Sequence, residues 1–174
     1  NICGLVQLRD SAPQELLYSG RYWYRSGVTK TMRDALRDIT QSIESKIDLG
    51  VGDVVLDIGS NDGTLLRSYE AKGIITVGIE PATNLQEEGE KGINRLMHEF
   101  WDAESYMTQM GTRAKVITAI GMFYDLEDPN KFIADVATVL RDDGIFVAQL
   151  MCLKNMLCLK ISQIRLTRAP LFNS

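Results

Sequence analysis

The run Val54-Val55-Leu56-Asp57-Ile58-Gly59-Ser60-Asn61-Asp62-Gly63-Thr64-Leu65-Leu66 constrains this chain more than any other. Val54 to Ile58 is almost continuously apolar, as expected of a strand buried on both faces of a parallel sheet. An acidic turn carrying two glycines follows. Gly59 and Gly63 let the backbone turn sharply and approach a ligand, because a Cβ at either site would restrict the dihedrals or fill the space. A helix is expected to start near Gly63 or Thr64, with its positive end toward the turn. Asp57, at the strand's carboxyl end, bears on the ligand's identity. A carboxylate there would repel a phosphate but attract an ammonium or accept hydrogen bonds from hydroxyls.

The remaining elements follow from periodicity. Met32, Leu36, Ile39, Ile43 and Ile47 recur in steps of three and four, which predicts a helix within Thr29 to Leu49. Ile74 to Ile79 predicts a second strand, ended by Glu80-Pro81 because proline cannot continue the ladder. A helix from about Thr83 to Lys91, a strand over Ile93 to Met97 and a helix over Asp102 to Met110 with Asp102 as its cap should follow. Lys115 to Ile120 predicts a fourth strand, Pro129 to Leu140 a helix opened by proline, and Ile145 to Leu150 a fifth strand. Strands alternating with helices over short links imply an α/β fold, a Rossmann-like parallel sheet covered on both faces. A helical arm precedes it.

The 174 residues carry 45% hydrophobic and 24% charged content and a net charge of -4. That suits one globular domain, and the scattered basic residues argue against nucleic acid and anionic membranes as partners. No apolar run is long enough to span a bilayer, and Cys3, Cys152 and Cys158 do not make a disulfide framework, so a cytoplasmic setting is expected. The start at Asn1 lies within an apolar run and lacks an initiator Met, and no acidic residue follows Asp143. Truncation at both ends, or a foreign reading frame from roughly Lys160, is the expectation.

Ligands of such sheets sit outside the carboxyl ends of the strands, at the switch point of strand order. Glu80 ends the second strand a little over about twenty residues after Asp57, the separation at which a carboxylate reaches a ribose diol in this architecture. The pair points to S-adenosylmethionine ahead of a dinucleotide; the alternative reading is an exposed acidic turn after each strand. After the third strand come His98, Glu99, Phe100 and Trp101: an acidic side chain for an adenine amino group and a ring to cover the base, or ordinary core aromatics. His98, the only histidine, is given no role. Gly121 to Asp128 follows the fourth strand, where ligand and substrate should meet. Met122 there should pack under the ligand, while Asp125 and Tyr124 either orient and deprotonate a substrate or belong to a solvated acidic cap. Tyr18, Tyr22, Trp23 and Tyr24 form either a lid over the site or an apolar anchor for the arm.

On these residues the chain resembles class I S-adenosylmethionine-dependent methyltransferases, and more narrowly the C-methyltransferase-like family that includes enzymes of deoxysugar biosynthesis. The resemblance rests on Cys3-Gly4-Leu5-Val6-Gln7-Leu8, on Tyr22 to Gly27 with Thr31-Met32-Arg33, on Val55 to Leu66, and on Val77-Gly78-Ile79-Glu80-Pro81. It implies that Asp57, Gly59, Asn61 and Gly63 line the methionine and ribose end of the cofactor. Glu80 and Pro81 would meet the ribose, Glu99 and Phe100 the adenine, with Met122 nearby. Asp125 and Tyr24 are the candidate catalytic residues. The acceptor would be a small molecule, such as a nucleotide-linked deoxysugar. Asn61 stands where the common glycine-rich pattern has a second glycine. The family also carries a zinc module of paired cysteines, of which Cys3 resembles the last ligand; without its partners this chain alone is not expected to hold the metal. The resemblance divides the chain into a zinc-module remnant (1-8), an aromatic and helical arm (9-50), a cofactor-binding domain (51-152) and an atypical basic tail (153-174). Two departures stand out: Asp125 replaces the histidine of sugar-methylating members, and nothing in the tail matches their His-Glu-His-like segment. A cofactor-binding remnant without catalysis and a nicotinamide-dependent oxidoreductase remain as alternatives.

Overall fold

The computed structural model describes residues 12–20 and 22–151 and the strand Ile164–Arg168. Five parallel strands, β1 (Val54–Ile58), β2 (Ile75–Ile79), β3 (Arg95–Met97), β4 (Ala114–Ile120) and β5 (Leu140–Met151), lie in the order β3-β2-β1-β4-β5. β6 (Ile164–Arg168) adds an antiparallel edge to β5, in the basic stretch to which the sequence reading gives no element. Strand order reverses between β1 and β4, so the crevice expected to hold a ligand opens at their carboxyl ends.

Strand side chains alternate between faces, and the two faces bury different helices. Val54, Leu56 and Ile58 of β1 join Ile117 and Ala119 of β4 against α4 (Ala103–Met110) and α5 (Pro129–Val139), with Tyr106, Phe132 and Val136 at the centre. Val55 and Val116 face the other way, onto Leu36, Ile39 and Ile43 of α2 (Lys30–Glu44). α2 is the expected amphipathic helix. Thr29 caps it, its side chain accepting from Met32 N, but it stops at Glu44 because the amides of Lys46 and Ile47 both bond to Ile43 O. α4 starts at its expected cap, Asp102, and α5 at the expected Pro129 with Asp128 as its cap, each cap accepting a backbone amide three residues on.

Three expectations change. No α-helix follows the β1 turn; a single 3-10 turn, Leu66–Ser68, stands in its place. Asn61 and Gly63 have left-handed φ of 53° and 74°, and the Asp62 carboxylate takes both the amide and the hydroxyl of Thr64, so no right-handed helix is nucleated across the turn. The expected Thr83 to Lys91 helix divides into a 3-10 turn, Thr83–Leu85, and the short α3 (Gln86–Glu90). β5 begins at Leu140 rather than Ile145, since Leu140 pairs with Ala114 before the register shifts and Ile145 pairs with Val116. Gly144 fits that shift because a Cβ there would sit 2.6 Å from Lys115 O. The arm before α2 contributes a one-turn helix, α1 (Gln14–Tyr18), and a segment from Tyr22 to Arg25 without regular structure.

Candidate cofactor site

A cavity of about 630 Å³ opens at the carboxyl ends of the strands. That volume suits one small ligand. Ile58 and Gly59 after β1, Glu80 and Pro81 after β2, Glu99 and Phe100 after β3, and Gly121 and Met122 after β4 line it, and the arm forms the opposite wall.

Glu80 is the buried one among the carboxylates that line this space, only 6% exposed. Its Oε2 accepts from Asn61 N at 2.9 Å and its Oε1 from Ala82 N at 2.9 Å. Each oxygen can accept a second hydrogen bond, so the pair is oriented toward two adjacent hydroxyls. Burial raises the Glu80 carboxyl above its ordinary range, and the two amides oppose the shift.

Asp57 is not where the sequence reading put it. It shares the parity of Val55, so its side chain turns to the α2 face, across to its register partner Thr118. It is 3% exposed and does not line the cavity. Burial pushes its carboxyl up to about 7; the Thr118 hydroxyl opposes this and the negative charge of Glu80 adds to it. Asp57 therefore lies behind the cavity lining, in contact with Thr118.

Gly63 is likewise not among the lining residues. A Cβ on it would meet Gly89 O and Arg67 Nη1 at 2.9 Å, so this glycine permits close packing of the turn against α3. Gly59, with φ of 73°, lines the cavity as expected. Asn61 does too, and its left-handed backbone explains the residue type, because asparagine tolerates that region better than other non-glycine residues. Its side chain is committed to the arm: Oδ1 accepts from Ser26 N at 3.0 Å and Nδ2 donates to Tyr24 O at 3.1 Å.

Glu99 and Phe100 line the cavity, but Glu99 Oε1 already accepts from Ser105 Oγ and Gln109 Nε2. Trp101 also lines the cavity and packs against Tyr106 and Phe132, so it joins the core to the site. His98 pairs with Glu90 outside the cavity. Met122 and Asp125 line it from the β4 side. Burial first, and then the neighbouring Asp125 carboxylate, push Tyr18 up to about 12. Tyr18, Tyr22 and Tyr24 all reach the cavity while Trp23 is 89% exposed, so three of the four arm aromatics act as a wall. Burial raises Tyr24, which keeps its proton at neutral pH.

Sequence reasoning missed Asn84, Ser26 and Gln149. Gln149 lines the cavity from the end of β5, and a polar side chain in an apolar strand was a readable signal. Asn84 gave none, since its partner is a main chain 62 residues away. Cys3 and the expected zinc-module remnant lie outside the described residues. Among the described residues no cluster of His, Cys, Asp or Glu is arranged to hold a metal ion, and no helix is long and apolar enough to cross a membrane.

Residues 24–168 match the family described as a methyltransferase domain. The chain is 26% identical over 158 residues to the C-methyltransferase NovU of Streptomyces niveus, covering 89% of this chain and 37% of that one. The plantazolicin methyltransferase BpumL, solved with a pentazolic desmethylPZN analog and SAH, superposes with a TM-score of 0.60 at 16% identity, over 78% of this chain and 54% of that one. A putative methyltransferase from an antibiotic biosynthesis pathway of Anabaena variabilis superposes with a TM-score of 0.53 at 16% identity, over 67% and 46%. At these identities the structural likeness speaks for the fold. The family match sets the oxidoreductase alternative aside. This chain, which spans 37% of its C-methyltransferase relative and about half of the structural ones, belongs to the methyltransferase-domain family and carries the class I fold.

Proposed function

We propose that this chain binds S-adenosylmethionine in the cavity between the strand ends and the tyrosine arm. The observation that carries the reading is Glu80: a buried carboxylate, oriented by two backbone amides, facing the cavity beside the left-handed Gly59. The residues fit such a ligand. Glu80 would take the ribose hydroxyls, the backbone at Gly59 would pass close to the ligand, Pro81 and Phe100 would flank the base, and Met122 would lie beneath it. The cofactor, when bound, supplies a methyl group made electrophilic by a sulfonium.

For the whole protein we propose methylation of a carbon in a small acceptor, such as a nucleotide-linked deoxysugar. The likeness to a C-methyltransferase and the sequence resemblance support that choice. Carbon methylation requires a base to take a proton from the acceptor and a geometry that aligns the nucleophile with the methyl group. Asp125 would receive that proton at a carboxylate oxygen, with Tyr18 beside it in the cavity wall. Tyr24, protonated at neutral pH, would serve as a hydrogen-bond donor to the acceptor. The arm and the apolar lining would exclude water from the reacting atoms.

Isothermal titration with S-adenosylhomocysteine tests the cofactor reading. Wild-type protein is expected to bind, and Glu80→Gln to bind about tenfold more weakly, because a charged hydrogen bond to the diol becomes a neutral one. No detectable heat at submillimolar ligand would overturn it. Transfer of labelled methyl to a nucleotide-linked deoxysugar tests the second step: incorporation supports an enzyme, and binding without incorporation supports a cofactor-binding remnant.

A further inference from the structure

The arm's tyrosines face the cavity, yet Tyr22 to Arg25 has no ladder partner, and the arm carries the exposed Trp23 and a Tyr24 that is 46% exposed. A segment with so little burial is held by its hydrogen bonds, and such segments open at low free-energy cost. Two asparagines supply those bonds. Asn84 Oδ1 accepts from Tyr22 N at 2.9 Å while Asn84 Nδ2 donates to Tyr22 O at 3.0 Å, reproducing with one amide the two bonds of a strand pair. Asn61 does the same work further along, on Ser26 N and Tyr24 O. The Gly27 amide adds a bond of 2.7 Å to Asp62 Oδ2.

Both asparagines grow from the turns that orient Glu80. Asn61 donates its own amide to Glu80 Oε2, and Asn84 follows Ala82, whose amide meets Glu80 Oε1. The wall of the cavity is thus fastened to the two turns that shape the ribose end.

We propose that Asn84 is a positioning residue, a latch that holds the tyrosine arm closed over the cofactor site and thereby sets how fast the cofactor leaves. The inference rests on the cofactor reading given above. Asn84 does not line the cavity and is itself exposed, so removing its side chain leaves both the ligand contacts and the core intact. Its effect should fall on the dissociation rate, as mutational effects on affinity usually do.

Stopped-flow displacement of S-adenosylhomocysteine from the intact chain tests this. Asn84→Ala is expected to release ligand about tenfold faster than wild type, with the melting temperature of the ligand-free protein nearly unchanged. Asn84→Asp keeps the bond from Tyr22 N and loses the bond to Tyr22 O, so its release rate should fall between the two. Tryptic cleavage after the exposed Arg25 gives a second reading of the arm: ligand should protect that bond in wild type and protect it less in Asn84→Ala. A wild-type release rate in Asn84→Ala would overturn the latch while leaving the cofactor reading intact. Failure of wild type to bind would overturn the cofactor reading instead. If Asn84→Ala does not fold, Asn84→Asp carries the test, with faster release expected and an unchanged rate contradicting the proposal.

Discussion

Two buried carboxylates stand at the ends of β1 and β2, and their surroundings divide their roles. Glu80 receives two backbone amides and turns to the cavity; Asp57 receives only the Thr118 hydroxyl and turns to the α2 face. Thr118 Oγ1 lies 2.6 Å from Asp57 Oδ1 and 3.2 Å from Leu56 O, two acceptors competing for one hydroxyl proton. A proton on Asp57 resolves the competition. The carboxyl then donates to Oγ1, and the hydroxyl donates to the carbonyl. This agrees with a carboxyl held up to about 7. An unfolded aspartate titrates near 3.9, so the folded state binds the extra proton between those values. Stability is therefore full below the unfolded value and declines as pH rises toward 7, by an amount on the order of a few kcal/mol. Asp57→Asn removes that slope while keeping the shape. In thermal melts, variant minus wild type should rise by several degrees between pH 4.5 and pH 8, and a flat difference would contradict the assignment. The sequence shows both carboxylates and their spacing, but Asp57's direction depends on strand parity and on its neighbour across the β1–β4 crossover. Of the two, both expected at the ligand, the structure brings Glu80 to the cavity lining and leaves Asp57 out of it.

At the scale of elements, the strands and the capped helices were legible because apolar periodicity and N-cap residues are local signals. Val54–Ile58, Ile75–Ile79 and the cap Asp102 stand where those signals put them, and Thr29 and Asp128 cap the other two predicted helices. The β1 turn was read less well. Its two glycines look alike in sequence but act on different neighbours, since Gly59 lines the cavity and Gly63 abuts Gly89 O. Their alanine variants should therefore separate. Gly63→Ala forces a left-handed backbone into contact with a carbonyl and should cost about 2 kcal/mol of stability, with the affinity of the folded protein for S-adenosylhomocysteine held within about threefold. Gly59→Ala places its Cβ 3.3 Å from Met122 Cγ and should lose both stability and affinity. Melting curves and titration calorimetry on the pair check this; equal loss of affinity in both would return Gly63 to the ligand site. The arm was legible only as a cluster of aromatics. Its attachment runs through side-chain amides on distant turns, for which a single sequence carries no periodic mark.

The described residues form a mainly parallel sheet with one antiparallel edge strand and helices on both faces, and the reversal of strand order between β1 and β4 fixes where a ligand can enter. Every cavity residue sits at a strand's carboxyl end, on the loop after one, on the arm, or on the neighbouring helices α2 and α5. Fold and cavity thus follow from one topology. The acceptor does not, because it depends on a few side chains such as Asp125 and Tyr24 and on how the arm closes over them. In the proposed site the cofactor lies between the β1 and β2 ends and the tyrosine arm, with its ribose on Glu80. A crystal structure of the chain with S-adenosylhomocysteine tests this most directly. Both ribose hydroxyls are expected within hydrogen-bonding distance of Glu80, with the arm seated through Asn61 and Asn84. Ligand bound away from the strand ends, or a ribose that leaves Glu80 untouched, would contradict the account.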